Sequence, residues 1–252
     1  MREIGYRVKL SSEYADEFVE RYKVLFGAME LKVNEDILEY LTPEKVVYLE
    51  RLFSNAFSFH IPKNTFYELR DYELTCRFFK ECIGKPGSSA ILVTHFQYNE
   101  TMRDEYLCEL FYENRAEMAL ENVEMCGDFF GYLDDLRQIA EEYDFLVCLD
   151  IGHLFYSALK SEVPLQHLIE YFAGDDWWRT NVIEFHLHDY NEERCHLNLG
   201  SGLMNWEVLR KFLKLFDDTC PIIIETTVED LSVQGIQEVE FLKERIGEVE
   251  NP

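Results

Sequence analysis

NVIEFHLHD (181–189) is followed by a stretch in which Trp206, Leu209, Phe212, Leu213 and Phe216 recur at three- and four-residue spacing, and then by PIIIETT (221–227). A strand-length apolar run, a helix-period segment and a second apolar run make one strand–helix–strand cycle, the unit of a parallel sheet. Six runs of the same kind precede this cycle: EIGYRVKL (3–10), AMELKV (28–33), AFSFHI (56–61), AILVTHF (90–96), EMALENV (117–123) and FLVCLDI (145–151). Helical patterns separate them. Leu133, Leu136, Ile139, Ala140 and Tyr143 share one face before the sixth run. Leu41-Thr42-Pro43-Glu44 opens another helix, with Thr42 as N-cap and Pro43 at the first helical position. The first two runs alternate weakly, and Met29–Val33 could equally extend a helix. Eight cycles in 252 residues match the ~250 residues of one closed α/β barrel, whereas a doubly wound sheet usually stops nearer roughly six strands. The expectation is a single (β/α)8 TIM-barrel domain over residues 1–252, with no linker or repeat dividing it.

Composition narrows the function. Hydrophobic residues make up 47% of the chain, enough for a sizeable core. The longest apolar runs are far short of the ~20 residues that cross a bilayer, and MREIGYRVKL has no uninterrupted apolar stretch like that of a secretory signal. No membrane association and a cytoplasmic location are the expectations. Lys and Arg number 24 against 49 Asp and Glu, a net charge of −25. Nucleic-acid binding draws on cations that neutralise phosphates, so this balance argues against it; solubility is the plainer meaning. The seven cysteines, Cys76, Cys82, Cys108, Cys126, Cys148, Cys195 and Cys220, form no CxxC pair. They read as reduced core thiols, and Cys195 sits beside a candidate ligand.

Histidine placement points to a site. Of His60, His95, His153, His167, His186, His188 and His196, only His167 falls in a helical pattern. The other six end a run or follow one closely, and barrel enzymes build their sites from these strand ends and the loops after them. Glu121, Asp150 and Glu225 end apolar runs too, where an unanswered carboxylate would be costly to bury. Strand alternation sharpens the picture. If His186 faces inward, so do Val182, Glu184 and His188, while Ile183, Phe185 and Leu187 face the helices. The same rule puts Ser58, Val93, Ala119, Cys148 and Ile223 in a layer beneath His60, His95, Glu121, Asp150 and Glu225. Taken singly, each histidine reads as a hydrogen-bonded core residue and each acid as a cap or ion-pair partner. Three carboxylates and several histidines at one barrel mouth read as a metal site, and the donor set suits Zn²⁺ or Mn²⁺ and disfavours Ca²⁺.

The ordered motifs SFHIP (58–62), LVTHF (92–96), ALENVE (119–124), LVCLDIGH (146–153), EFHLHD (184–189), HLNLGSGLMNW (196–206) and IIIETT (222–227) resemble those of the xylose isomerase-like TIM barrels. That group includes sugar isomerases and epimerases and the endonuclease IV type of abasic-site nuclease. The resemblance is strongest from residue 117 onward. It implies a metal tetrad of Glu121, Asp150, His186 and Glu225. In the nuclease branch, a second metal would use His60 and His95 with bridging Glu121. A third would use His153, His196 and an Asp two residues before His196. Arg194 stands there instead, as RCH in place of DxH, and a cation would repel a third metal. In the epimerase branch an Arg shortly after the metal His contacts the sugar, which Arg194 could do.

The leading expectation is an isomerase or epimerase using one to two divalent ions per chain on a sugar or sugar phosphate. The reaction would pass through an enediolate, with Glu121 and Glu225 as the acid/base pair. His153, His188, Arg194 and His196 would bind substrate or act as further ligands, Glu184 would support His186 from below, and Trp206 belongs to the core by its spacing. The rival is a zinc-dependent hydrolase of the endonuclease IV type, which the retained His60 and His95 favour. A barrel that keeps a metal without catalysis is the third reading. The oligomeric state is not written in the motifs.

Overall fold

The computed structural model describes residues 2–10, 15–53, 56–61, 78, 91–96, 117–125, 127–227 and 230–247. All eight apolar runs are strands: β1 Ile4–Val8, β2 Ala28–Lys32, β3 Phe57–His60, β4 Ile91–His95, β5 Glu117–Glu121, β6 Leu146–Asp150, β7 Val182–Leu187 and β8 Ile222–Ile224. Each pairs in parallel with the next, and β8 closes on β1. The result is one closed eight-stranded parallel barrel with helices between strands, a TIM barrel. Met29–Lys32 therefore resolves as strand, because Met29 and Leu31 fill the layer under the helices while Glu30 turns inward.

The described α-helices are α1 Ala15–Leu25, α2 Glu35–Leu38, α3 Pro43–Phe53, α4 Phe129–Tyr143, α5 Ile151–Lys160, α6 Leu165–Ala173, α7 Asp176–Asn181, α8 Trp206–Leu213 and α9 Ile236–Ile246, of which α3, α4 and α8 carry the patterns read above. Thr42 caps α3, its Oγ1 accepting from Lys45 N at 3.4 Å. Outward strand residues such as Leu149, Phe185 and Leu187 join the helix faces in one continuous core. Phe172 lies 4.8 Å from Trp178 and 5.1 Å from Phe212, ring centre to ring centre. Trp206 meets Phe241 at 5.1 Å, a core position. Cys148 and Cys220 are buried and free, and Cys195 is free and half-buried; Cys76, Cys82, Cys108, Cys126 and Pro62 lie outside the described residues. Among the described residues no helix is long and apolar enough to cross a membrane.

Inside the barrel, Val93, Ala119 and Cys148 form an apolar floor, and Ala28, Ala56 and Ile223 another part of it. Alternation fails in one place. Val147 pairs with Val182 but Cys148 pairs with Glu184, so β7 carries one extra residue. The irregularity turns Ile183 into the floor and leaves Val182 with the outer core, the reverse of the simple parity expected for this pair.

Just before β1, at the opposite end from the histidines, Arg2 packs outside the barrel over the Phe185 ring. Its guanidinium donates to the carbonyls of Leu213 (2.7 Å), Phe216 (3.0 Å) and Cys220 (3.2 Å) and to that of Asp217. Carbonyls at and after the last turn of α8 thus gain a cationic donor, those of Leu213 and Asp217 in addition to a backbone N–H.

Candidate metal centre

The C-terminal strand ends converge. Glu121 and Asp150 end β5 and β6, His186 lies one residue before the end of β7, and Glu225 follows β8. Each offers one ligand atom, and the four atoms lie within 4.8 Å of one another. His186 and the three acids are nearly or fully buried. The ring carries His186 Nε2 against Glu184 Oε1 (3.0 Å) and Glu30 Oε2 (3.1 Å), so a proton on Nε2 leaves the Nδ1 lone pair facing the centre. Nδ1 lies 2.6 Å from Glu225 Oε1 and 3.1 Å from Glu121 Oε1. Ser58 Oγ donates to the other oxygen of Glu184 at 2.8 Å.

Two features of the local chain make this geometry. Asn122 fixes the end of β6, its amide accepting from Asp150 N and donating to Asp150 O, both at 2.9 Å. Asp150 Oδ1 then caps α5 by accepting from His153 N at 2.8 Å. That leaves Oδ2 buried with no hydrogen-bond partner, as is Glu121 Oε1, while Glu225 Oε1 pairs with Arg7. Two buried carboxylate oxygens with no hydrogen-bond partner, Asp150 Oδ2 and Glu121 Oε1, beside an imidazole nitrogen fit a divalent cation.

Two further groups flank the tetrad. His60 Nδ1 and His95 Nε2 lie 3.6 and 3.4 Å from Glu121 Oε2, and these three residues form a second set able to share an ion. On the other side His153, His188 and His196 stand with ring centres 4.1 to 4.9 Å apart. Cys195 completes this third set. His153 belongs to the first turn of α5, where Gly152 is obligatory because a Cβ there would overlap the His188 ring. His167 lies on α6, away from all three sets.

Asp189 places His196. Its carboxylate accepts four backbone N–H bonds, from Tyr190, Gly200, Gly202 and Met204, at 2.8 to 3.0 Å. Gly202 is needed because a Cβ would strike that carboxylate and Tyr190 O. The loop so folded holds His196 at a left-handed φ of 57°, backbone strain of the kind found at sites. Arg194 is exposed; its N–H donates to Asn191 Oδ1 at 2.9 Å, and among the described residues no contact joins its side chain to the ring.

Two inward residues of the first strands were not foreseen. Arg7 on β1 reaches Glu30, Glu121, Glu225 and His186, and Glu30 on β2 is fully buried beside it. Alternation would have found both, since Tyr6 and Val8 face outward around Arg7, and Met29 and Leu31 around Glu30. The weak patterning of these two runs hid the parity.

Electrostatics divides the ring. Burial alone would raise Glu30, Glu121 and Glu225, but Arg7 and His186 outweigh it and hold all three below the usual carboxylate range. Asp150 is held well below it by His153 and His188 against the same burial. Burial, with Glu30 beside it, raises Glu184. Burial pushes His95 down to about 4, whereas Asp150 lifts buried His188 to about 9. His196 is lowered by burial and by His188, and Cys195 is pushed up to about 11 by burial and Glu124.

Solved structures with this fold include a D-tagatose 3-epimerase-like protein, 19% identical, with 98% of this chain and 97% of that one aligned and a TM-score of 0.59. A Thermus thermophilus protein soaked with ZnCl2 is also 19% identical over 98% and 99% of the two chains, with a TM-score of 0.58. A Methylomonas D-allulose 3-epimerase is 14% identical over 97% and 98%, TM-score 0.58. No curated protein sequence matches the chain. The pattern of the xylose isomerase-like TIM barrel family matches residues 101–245, more than half of the sequence and the part that supplies Glu121, Asp150, His186 and Glu225. The chain belongs to the xylose isomerase-like TIM barrel family.

Proposed function

We propose that the protein is a divalent-metal-dependent isomerase or epimerase of a small sugar or sugar-like hydroxy-carbonyl compound. The observation that carries this reading is the convergence of Glu121, Asp150, His186 and Glu225, with Asp150 Oδ2 and Glu121 Oε1 lacking a hydrogen-bond partner, at the mouth of the barrel. Relatives of the same fold named as sugar 3-epimerases support the substrate class, and one soaked with zinc supports the metal.

A Zn²⁺ or Mn²⁺ ion on the tetrad would act as a Lewis acid toward a carbonyl oxygen and the hydroxyl beside it, acidifying the C–H between them. The chain's own groups do the rest. Glu121 and Glu225, both ionised by their neighbours, take the proton from one side of the carbon and return one to the other through an enediolate. His188, charged up to about pH 9, together with His153, His196 and Arg194, orients substrate hydroxyls or a phosphate. Glu184 holds the tautomer of His186. The site accepts a small molecule, in the cytoplasm by default. The measurement is solvent deuterium exchange into a turned-over ketose. Glu121→Gln should stop incorporation, and unchanged incorporation would sink the assignment.

The second reading is a zinc hydrolase, favoured by the set His60, His95 and Glu121. His95, neutral because of burial, would serve as a ligand. Metal stoichiometry separates the two: about one ion per chain supports the isomerase, and two or three zincs the hydrolase. The charge of −25 argues against a DNA substrate in either case.

A further inference from the structure

Arg7 stands inside the ring, and the roles proposed above do not include it. Its Nε pairs with Glu30, its Nη1 donates to Glu225 Oε2 at 2.8 Å, and its Nη2 donates to Glu121 Oε2 at 3.2 Å and pairs with Glu225 Oε1. Nη2 also lies 2.9 Å from His186 Nδ1. Three of these partners, Glu121, His186 and Glu225, belong to the tetrad.

A guanidinium has donors only. Nη2, 2.9 Å from Nδ1 of His186, fills the space an ion would need beside that nitrogen. The two glutamates face the same alternative, since an oxygen held by Arg7 is less available to an ion, and a fixed positive charge repels a second one nearby. Glu30 is different. It lies outside the tetrad, is fully buried, and can keep its bond to Nε while the far end of the side chain withdraws. The Arg7 side chain is 16% exposed, so it reaches the open mouth.

We infer that Arg7 is a tethered competitor of the metal: a cation that holds the ligands together in the metal-free barrel and must yield Glu121, His186 and Glu225 for the ion to bind. Glu30 anchors it during the exchange. Without a metal and without Arg7, buried Glu30, Glu121 and Glu225 would be left to His186 and its histidine neighbours, a costly arrangement. With Arg7 present the metal-free fold persists and the affinity for metal falls, because only the fraction of molecules with Arg7 withdrawn can bind. The inference rests on the metal reading of the tetrad. The opposing view makes Arg7 a permanent brace that orients Glu121 and Glu225 around the ion; it predicts the opposite sign.

The experiment is calorimetric titration of Mn²⁺ into metal-free wild type, Arg7→Met and Arg7→Lys, with thermal unfolding of each before and after saturation. Arg7→Met should bind Mn²⁺ about tenfold more tightly than wild type, unfold at a lower temperature without metal, and gain more from saturation. Arg7→Lys, a point charge without the planar fork, should fall between the two. Mn²⁺ bound by wild type but no more tightly by Arg7→Met overturns the competitor and leaves the metal site standing. Failure of wild type to bind Mn²⁺ overturns the metal reading and the competitor with it. If Arg7→Met does not fold, Arg7→Lys decides: tighter binding than wild type supports competition, and equal or weaker binding overturns it.

Discussion

Arg2 and Arg7 flank and occupy the same first strand, at opposite ends of the barrel, and their partners differ in kind. At the N-terminal end Arg2 is answered chiefly by backbone carbonyls of Leu213, Phe216, Asp217 and Cys220, groups that exist in any sequence, with only exposed Asp218 beside them. At the open end Arg7 is answered by Glu30, Glu121 and Glu225, an excess of buried acid that no fold requires. The first arrangement satisfies the end of a helix. The second concentrates negative charge beyond what one arginine neutralises. The same residue type thus braces the chain after α8 at one end and sits in a charged ring at the other, where barrels of this kind build their sites.

Breaking the open end should show in turnover. Glu225→Gln removes one of the proposed proton-transfer groups and should lower kcat by about 10²- to 10⁴-fold while the metal-free protein keeps its unfolding temperature; a matching loss of folding would erase the distinction between the ends. Breaking the opposite end should do the reverse. Arg2→Met leaves the Phe216 and Cys220 carbonyls without their donor and should cost about 3 kcal/mol in denaturant unfolding, with kcat per folded molecule unchanged.

Acid should probe the open end without mutation. An unfolded imidazole takes up a proton below about pH 6.5, whereas folded His95 resists until about pH 4. The unfolded state therefore binds more protons in that window, and the metal-free protein loses stability as pH falls through it, by at most about 3 kcal/mol for this group. His188, raised to about 9, acts in a separate window and gains stability as pH falls from there toward 6.5. Stability curves of wild type and His95→Asn should diverge between pH 6.5 and 4, and parallel curves would remove His95 as the cause. The smallest expected effect is at Asp189. Asp189→Asn weakens the four N–H bonds that place His196 and should cost about 2 kcal/mol, with KM rising more than kcat falls.

Much of this was legible in the chain. Apolar runs ending in His60, His95, Glu121, Asp150 and Glu225 announce both strands and site, because a buried acid at a strand end needs an answering charge. Thr42 and Pro43 announce α3 by local bonding alone. The bulge at Ile183 was not legible, since an extra residue leaves the local apolar pattern intact and shows only in the pairing with β6. Nor was the role of Asp189, whose four donors belong to a loop that must first fold around it.

The sequence by itself determined the eight strands, the inward side of most of them, and which residues crowd the mouth, because alternation and helical spacing are properties of neighbouring residues. Only the tertiary structure decided that Arg7 meets Glu225, 218 positions away, or that Cys195 joins His153, His188 and His196. Those meetings depend on how the barrel closes and how its strands are staggered, which no local period records.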